Sequence, residues 1–255
     1  MSVATARAGR HAVERRCVSR AVERRRSGAR RRIQLLAHLR ARAGTGWHSW
    51  PAGGRRCIAR GRGDDRYFTL YELEALAALA GAEYADVVEQ PTAWSLDMRP
   101  SLRNFQRHPC TTLVSLGDGI AGAIATFRLS LQGAASDPLS VAAKAILEPL
   151  LDTAGVTSIH LGVVDPDAAF PLQKASTTGA ESDNSRHVLL VEGTSRDELD
   201  AAALRIAAAI TPRLAANRGI QWNTYDLAFA IERADLRHST ARRQPPRPDL
   251  RAPWR

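Results

Sequence analysis

Lysine is nearly missing from this chain. Of 36 basic residues only Lys144 and Lys174 are lysine, a bias that suggests GC-rich coding. Cysteine is also scarce: Cys17, Cys57 and Cys110 stand far apart, with no Cys-x-x-Cys pair. Cysteines so spaced exclude a disulfide framework and a zinc site and fit a cytoplasmic setting. Cys110, behind a proline at the head of an apolar run, reads as a small buried hydrophobe rather than a nucleophile. No apolar run approaches the roughly 20 residues that span a bilayer, so no membrane partner is expected. Arginine recurs every few residues after Met1, which leaves no apolar region of the signal-peptide kind.

Acids are scarce in the front segment alone. Residues 1–63 hold 17 arginines against Glu14 and Glu23, a net of +15, so the rest of the chain carries −5 of the total +10. The positive charge belongs to this arm and not to the fold. Its clusters, Arg15-Arg16, Arg24-Arg25-Arg26, Arg30-Arg31-Arg32 and Arg55-Arg56, have three readings. Clustered guanidinium groups neutralise phosphates and bind nucleic acid. Organelle transit peptides are also rich in arginine and poor in acid. A misassigned start or shifted frame in GC-rich DNA yields the same composition, and this plain reading is preferred. No aromatic precedes Trp47, so the arm offers no stacking platform for single strands. Residues 1–54 are therefore expected to be disordered or misassigned, with nucleic-acid contact limited to non-specific attraction by the arm. A basic tail, 237–255, carries Pro245-Pro246, Pro248 and Pro253 and is expected to be extended.

The middle is legible as alternating elements. Residues 55–60 and 66–73 flank a Gly-rich turn and read as a hairpin. Residues 75–90 read as helix with a break at Gly81 and a stop at Pro91. A strand is expected at 104–116 and another at 122–131. Asp137-Pro138 starts a helix to Ala154, bent or split by Pro149. Strands follow at 156–164 and 186–192, around a long polar loop. Ser195-Arg196-Asp197-Glu198 is a capping box and opens a helix with Leu199, Ala203, Ile206, Ile210 and Leu214 on one face. Residues 222–231 form the last strand. From 119 to 236 the order is β-α-β-β-α-β, the ferredoxin-like arrangement. Residues 55–118 read as β-β-α-β, the same order without its first strand and helix.

Arg66-Tyr67-Phe68-Thr69-Leu70-Tyr71-Glu72-Leu73, Pro91-Thr92-Ala93-Trp94 and Arg103-Asn104-Phe105 carry a resemblance. Over residues 55–232 the chain resembles the tandem ferredoxin-like proteins of the dimeric α+β barrel superfamily, EthD-like in the broad sense. The family pattern begins with a strand and a Trp/His-bearing helix that this sequence does not show. The resemblance implies an α+β fold of two ferredoxin-like halves forming a pseudo-dimeric barrel, the first half incomplete. It also implies a small-molecule ligand bound between sheet and helices. Several such barrels are cofactor-independent oxygenases or isomerases, and others bind haem.

Polar residues on strands are the chemical lead. His160 opposes Ile159 and Leu161 by alternation, Arg128 opposes Phe127 and Leu129, Asp226 opposes Tyr225 and Leu227, and Glu192 sits beside Val191. If the apolar faces pack on helices, these four converge in a cavity. His160 is then a general base, Arg128 a charge stabiliser, and Asp226 or Glu192 the orienting acid. The competing reading is a buried ion-pair network or an interface between the halves. Gly117-Asp118-Gly119-Ile120-Ala121-Gly122 matches a dinucleotide fingerprint, but a strand rather than a helix is expected after it, so a connector is preferred. Tyr67 and Tyr71 share one strand face and read as core. His187 is expected to approach His160 across paired strands without a third ligand, so no metal is expected, and no cofactor. The expected function is cofactor-independent oxidation or isomerisation of a small organic compound. The rival is a binding module without chemistry, though the RNA-recognition signature is absent. A homodimer is an assembly open to such a chain.

Overall fold

Strand-length runs with apolar residues on both faces demand a sheet covered twice, and this sheet achieves it by curling. The computed structural model describes residues 16–18, 53–60, 66–82, 84–85, 107–131, 137–165, 167–168, 186–214 and 220–232. The strands are β1 (Arg16–Val18), β2 (Gly53–Ile58), β3 (Tyr67–Leu73), β4 (Cys110–Gly117), β5 (Ala123–Leu129), β6 (Val156–Val164), β7 (His187–Gly193) and β8 (Gln221–Glu232). Helices α1 (Asp137–Leu147) and α2 (Arg196–Leu214) belong to the second half. All eight strands form one antiparallel sheet in the order β1-β3-β2-β8-β5-β7-β6-β4.

That order resolves into two ferredoxin-like units. In the second, β5-α1-β6-β7-α2-β8, the strands lie β8-β5-β7-β6. In the first they lie β1-β3-β2, with β4 at the far end of the sheet. Yet β1 and β4 lie against each other, so the sheet curls back on itself and the first unit has the same internal order. Arg16–Val18 therefore stands in the place of the first strand expected to be missing, paired with Leu73, Glu72 and Tyr71. The units are joined at both seams, β2 to β8 and β4 to β6.

The two faces divide the apolar residues. Outward, Ala123, Ala125, Phe127 and Leu129 of β5, Ile159 and Leu161 of β6, and Leu189 and Val191 of β7 pack under α1 and α2. The α2 stripe Leu199, Ala203, Ile206 and Ile210 is buried there as its spacing predicts. Inward, Cys57, Phe68, Leu70, Cys110, Ile124, Val188, Leu190 and Tyr225 form a second cluster. These come from six strands of both units, so the inner face encloses its own core.

The hairpin, the strand at 156–164 and the last strand fall where the sequence places them. Other elements are shorter. Pro149 lacks an amide and crowds the preceding turn, so α1 ends at Leu147 and a 3-10 turn, Glu148–Asp152, follows. Of the helix expected at 75–90, a 3-10 turn over Leu76–Ala80 is present, with helical residues again at 82, 84 and 85; 83 and 86–90 lie outside the described residues. β4 begins at Cys110, directly after Pro109. The capping box forms, with the Glu198 amide donating to Ser195 Oγ at 3.3 Å. Gly117 adopts φ +72°, and a Cβ there would lie 2.2 Å from the Thr157 carbonyl oxygen, so only glycine fits.

Phe127 is fully buried between β5 and the helices, beside Trp222 at 6.2 Å between ring centroids. Truncation by Phe127→Ala is expected to lower unfolding free energy by about 3–5 kcal/mol, read from urea midpoints at unchanged slope.

Candidate functional site

Charged residues enter the inner face from strands that are distant in the sheet order. Along β2, Arg55 and Cys57 alternate with Arg56, so Arg55 points inward and Arg56 outward, where its guanidinium lies 4.6 Å from the centre of the Tyr67 ring. Arg55 donates one hydrogen bond to Glu192 of β7 and another to Glu72 of β3. Arg55 is 6% exposed, Glu192 2% and Glu72 24%. β2 and β7 are three places apart in the order, which in a flat sheet means about 14 Å. Their direct contact exists only because the sheet is curled. Burial pulls the Arg55 guanidinium downward, but the charges and hydrogen bonds of Glu192 and Glu72 hold it above its ordinary value.

Glu192 also meets the sequence-predicted base. His160 Nε2 lies 3.7 Å from Glu192 Oε1, and the Ala121 amide donates to Glu192 Oε2 at 3.4 Å. On the other side of the ring, Ser115 Oγ of β4 lies 2.9 Å from His160 Nδ1. With Nε2–H directed at the carboxylate, Nδ1 accepts from the Ser115 hydroxyl. The chain Ser115–His160–Glu192–Arg55–Glu72 thus crosses the barrel on five strands. Ser115 is exposed and the rest is buried or half-buried, so the network is reached from the Ser115 end.

Ladder register sorts the neighbours into rows. One row runs Ser158, Glu192, Ile124, Tyr225; the next runs His160, Leu190, Thr126, Asn223. The hydroxyls of Ser158, Thr126 and Tyr225 are all buried and have no hydrogen-bond partner among the described residues. Three unpaired hydroxyls thus share two adjacent rows with Glu192 and His160.

The four residues singled out from the sequence do not all converge. His160 and Glu192 do. Arg128 is on the same inner face, but it pairs with Val188 while Ile124 pairs with Glu192. It therefore lies about 13 Å further along β5 than the Glu192 row; Arg55, not Arg128, is the arginine that touches Glu192. Asp226 pairs with Ala123 and faces outward. Arg60 grips both its oxygens, at 2.7 and 3.0 Å, so it does not orient His160. It does oppose Tyr225 and Leu227, as alternation requires, but those two belong to the inner cluster and not to the face under the helices, which leaves Asp226 on the outer side. His187 pairs with Leu129 and Val163, on the face opposite His160, so the two histidines do not meet. Tyr71 packs outward with Leu73 and Leu79.

Arg55, Glu72 and Ser115 were missed. Arg55 was hidden in the arm's charge count, although its alternation with Cys57 marks an inward position. After the glycine-rich connector comes β5 and no helix, so Gly117–Gly122 offers no helix dipole to a pyrophosphate. Among the described residues, no group of three or more His, Cys, Asp or Glu is placed to hold a metal ion. A haem does not fit His160 either, because one ring nitrogen is bonded to Ser115 and the other faces Glu192.

No protein-family profile matches the sequence, and no curated protein does. Solved structures do match. A proposed monooxygenase of Fusobacterium nucleatum superposes with TM-score 0.54 at 7% identity, over 86% of this chain and 94% of that one. The shared fold is an α+β barrel of two ferredoxin-like units with a curled antiparallel sheet. A proposed monooxygenase of Lactobacillus acidophilus gives TM-score 0.53 at 8% identity, over 86% and 95%. An anthrone oxidase-like protein gives 0.53 at 9%, over 86% and 93%. At these identities the likeness is one of fold. No helix among the described residues is long and apolar enough to cross a membrane.

Two expectations follow from burial. Cys57 and Cys110 are each 1% exposed, and burial pushes both thiols up to about 12; iodoacetamide at pH 8 should modify neither until the protein is unfolded in urea. Burial, and secondarily the Arg186 charge, lowers His187 below its ordinary 6.5. A depressed histidine gives stability that is present above 6.5 and lost as pH falls toward the folded value. His187→Asn, which keeps an acceptor for the Leu131 amide, should lose less stability than the unaltered chain between pH 7.5 and 5.5, measured by urea unfolding.

Proposed function

We propose that this chain binds a small organic molecule inside its barrel and carries out cofactor-independent oxidation or isomerisation on it, as an EthD-like member of the barrel superfamily. Three buried, unpaired hydroxyls beside a histidine–carboxylate pair carry this reading. Each unsatisfied buried hydroxyl costs about 1–3 kcal/mol, and three together call for an occupant with several hydrogen-bonding atoms. Phe68, Leu70, Ile124 and Leu190 belong with Tyr225 to the inner apolar cluster, and small-molecule sites combine such apolar surface with a few polar groups.

The contacts of Glu192 and the position of Arg128 support a division of labour. Glu192, held by Arg55, orients the His160 ring and balances the imidazolium that forms when Nδ1 takes a proton. Arg128, further along the same face, faces negative charge that develops on the ligand. The units involved are residues 55–118 and 119–236.

Tyr225→Phe removes an unpaired hydroxyl. It should leave the free protein as stable or about 1 kcal/mol more stable, while weakening the thermal shift given by enolisable carbonyl compounds of low mass. His160→Ala should keep the fold by circular dichroism and lower turnover of such compounds by about 10²–10⁴-fold. Unchanged turnover in His160→Ala, or an unchanged thermal shift in Tyr225→Phe, contradicts the proposal.

A further inference from the structure

The barrel network ends in an exposed hydroxyl, and that end has the wiring of an activated nucleophile. We propose that Ser115 accepts acyl groups from small activated esters, with His160 as its base and Glu192 as the group that orients the base. This goes beyond the interior ligand site and shares with it His160, Glu192 and the Arg55 that holds Glu192.

Nucleophilic serines need a base within about 2.6–3.2 Å and a third group that orients the base. Ser115 Oγ is 2.9 Å from Nδ1, and Nε2 faces Glu192 at 3.7 Å. Arg55 holds Glu192 in place through a buried ion pair. The ring nitrogens are used in the reverse order from the serine-protease arrangement, but either nitrogen serves as a base when the other carries the proton toward a carboxylate.

The step balances with an ester and water as the reactants. Ser115 Oγ bonds to the acyl carbon while its proton moves to His160 Nδ1. The ester carbon–oxygen bond breaks and the departing alcohol takes that proton. Water then attacks the acyl-serine, giving a proton to Nδ1. The bond to Oγ breaks, the proton returns to Oγ, and a carboxylic acid leaves.

An alkyl fluorophosphonate reports on such a serine directly. Incubated with the full chain, it should leave one adduct, located at Ser115 by peptide mass spectrometry. Ser115→Ala should abolish that adduct, and His160→Gln should slow its formation about 10²-fold or more. The position of the adduct in the unaltered chain requires no variant, so a variant that fails to fold does not rescue the proposal. Absence of an adduct at Ser115 in the folded, unaltered chain overturns it, as does equal labelling in folded His160→Gln. Neither result touches the thermal-shift measurement on Tyr225→Phe, which reads the interior hydroxyls alone.

Discussion

A guanidinium buried inside a barrel has to bring its counter-charges with it. Arg55 leaves water on β2 and is held by Glu72 from the neighbouring strand and Glu192 from the opposite unit. An uncompensated charge in that position costs several kcal/mol, so the two units are tied at the point where their inner faces meet. Ladder hydrogen bonds at the β2–β8 and β4–β6 seams are directional but indifferent to side chains. The Arg55 contacts add the requirement that one particular face of each unit turns inward.

The same division that puts apolar residues under the helices leaves polar ones inside. On β5, the outward Ala123, Ala125, Phe127 and Leu129 fill the space below α1 and α2, and the inward Ile124, Thr126 and Arg128 are mixed. On β7, Leu189 and Val191 go outward and Val188, Leu190 and Glu192 inward. The interior is therefore part core and part polar site. Glu192 serves both, as the far anchor of Arg55 and as the carboxylate beside His160. A structural ion-pair network and the proposed chemical site, alternatives when only the sequence is in view, share this one residue.

Much of this was readable from local rules. Strand alternation placed His160 and Glu192 on one face, Pro149 marked where the helix expected to reach Ala154 bends or splits, and the Ser195–Glu198 box marked the start of α2. The second unit was legible as a whole because each element has its own punctuation. Reading failed where the information was not local. Tyr225 and Leu227 pack inside the barrel and not under the helices, which sends Asp226 outward, and nothing in the composition of that strand announces it. Arg55 looked like part of a basic arm because charge was counted along the chain and not across a strand. Ser115 carries no signal of its own; it matters because β4 pairs with β6 in a register that sets it opposite His160. The three-residue β1 was invisible because a segment that short has no period.

The tie between the units is tested most directly by a double-mutant cycle on Arg55→Ala and Glu192→Gln, with unfolding free energies measured in urea at pH 7. A buried pair that joins the two halves predicts a coupling of about 3 kcal/mol or more. A coupling of about 0–1 kcal/mol, the range of exposed surface pairs, would show that the barrel closes without it and would contradict the account.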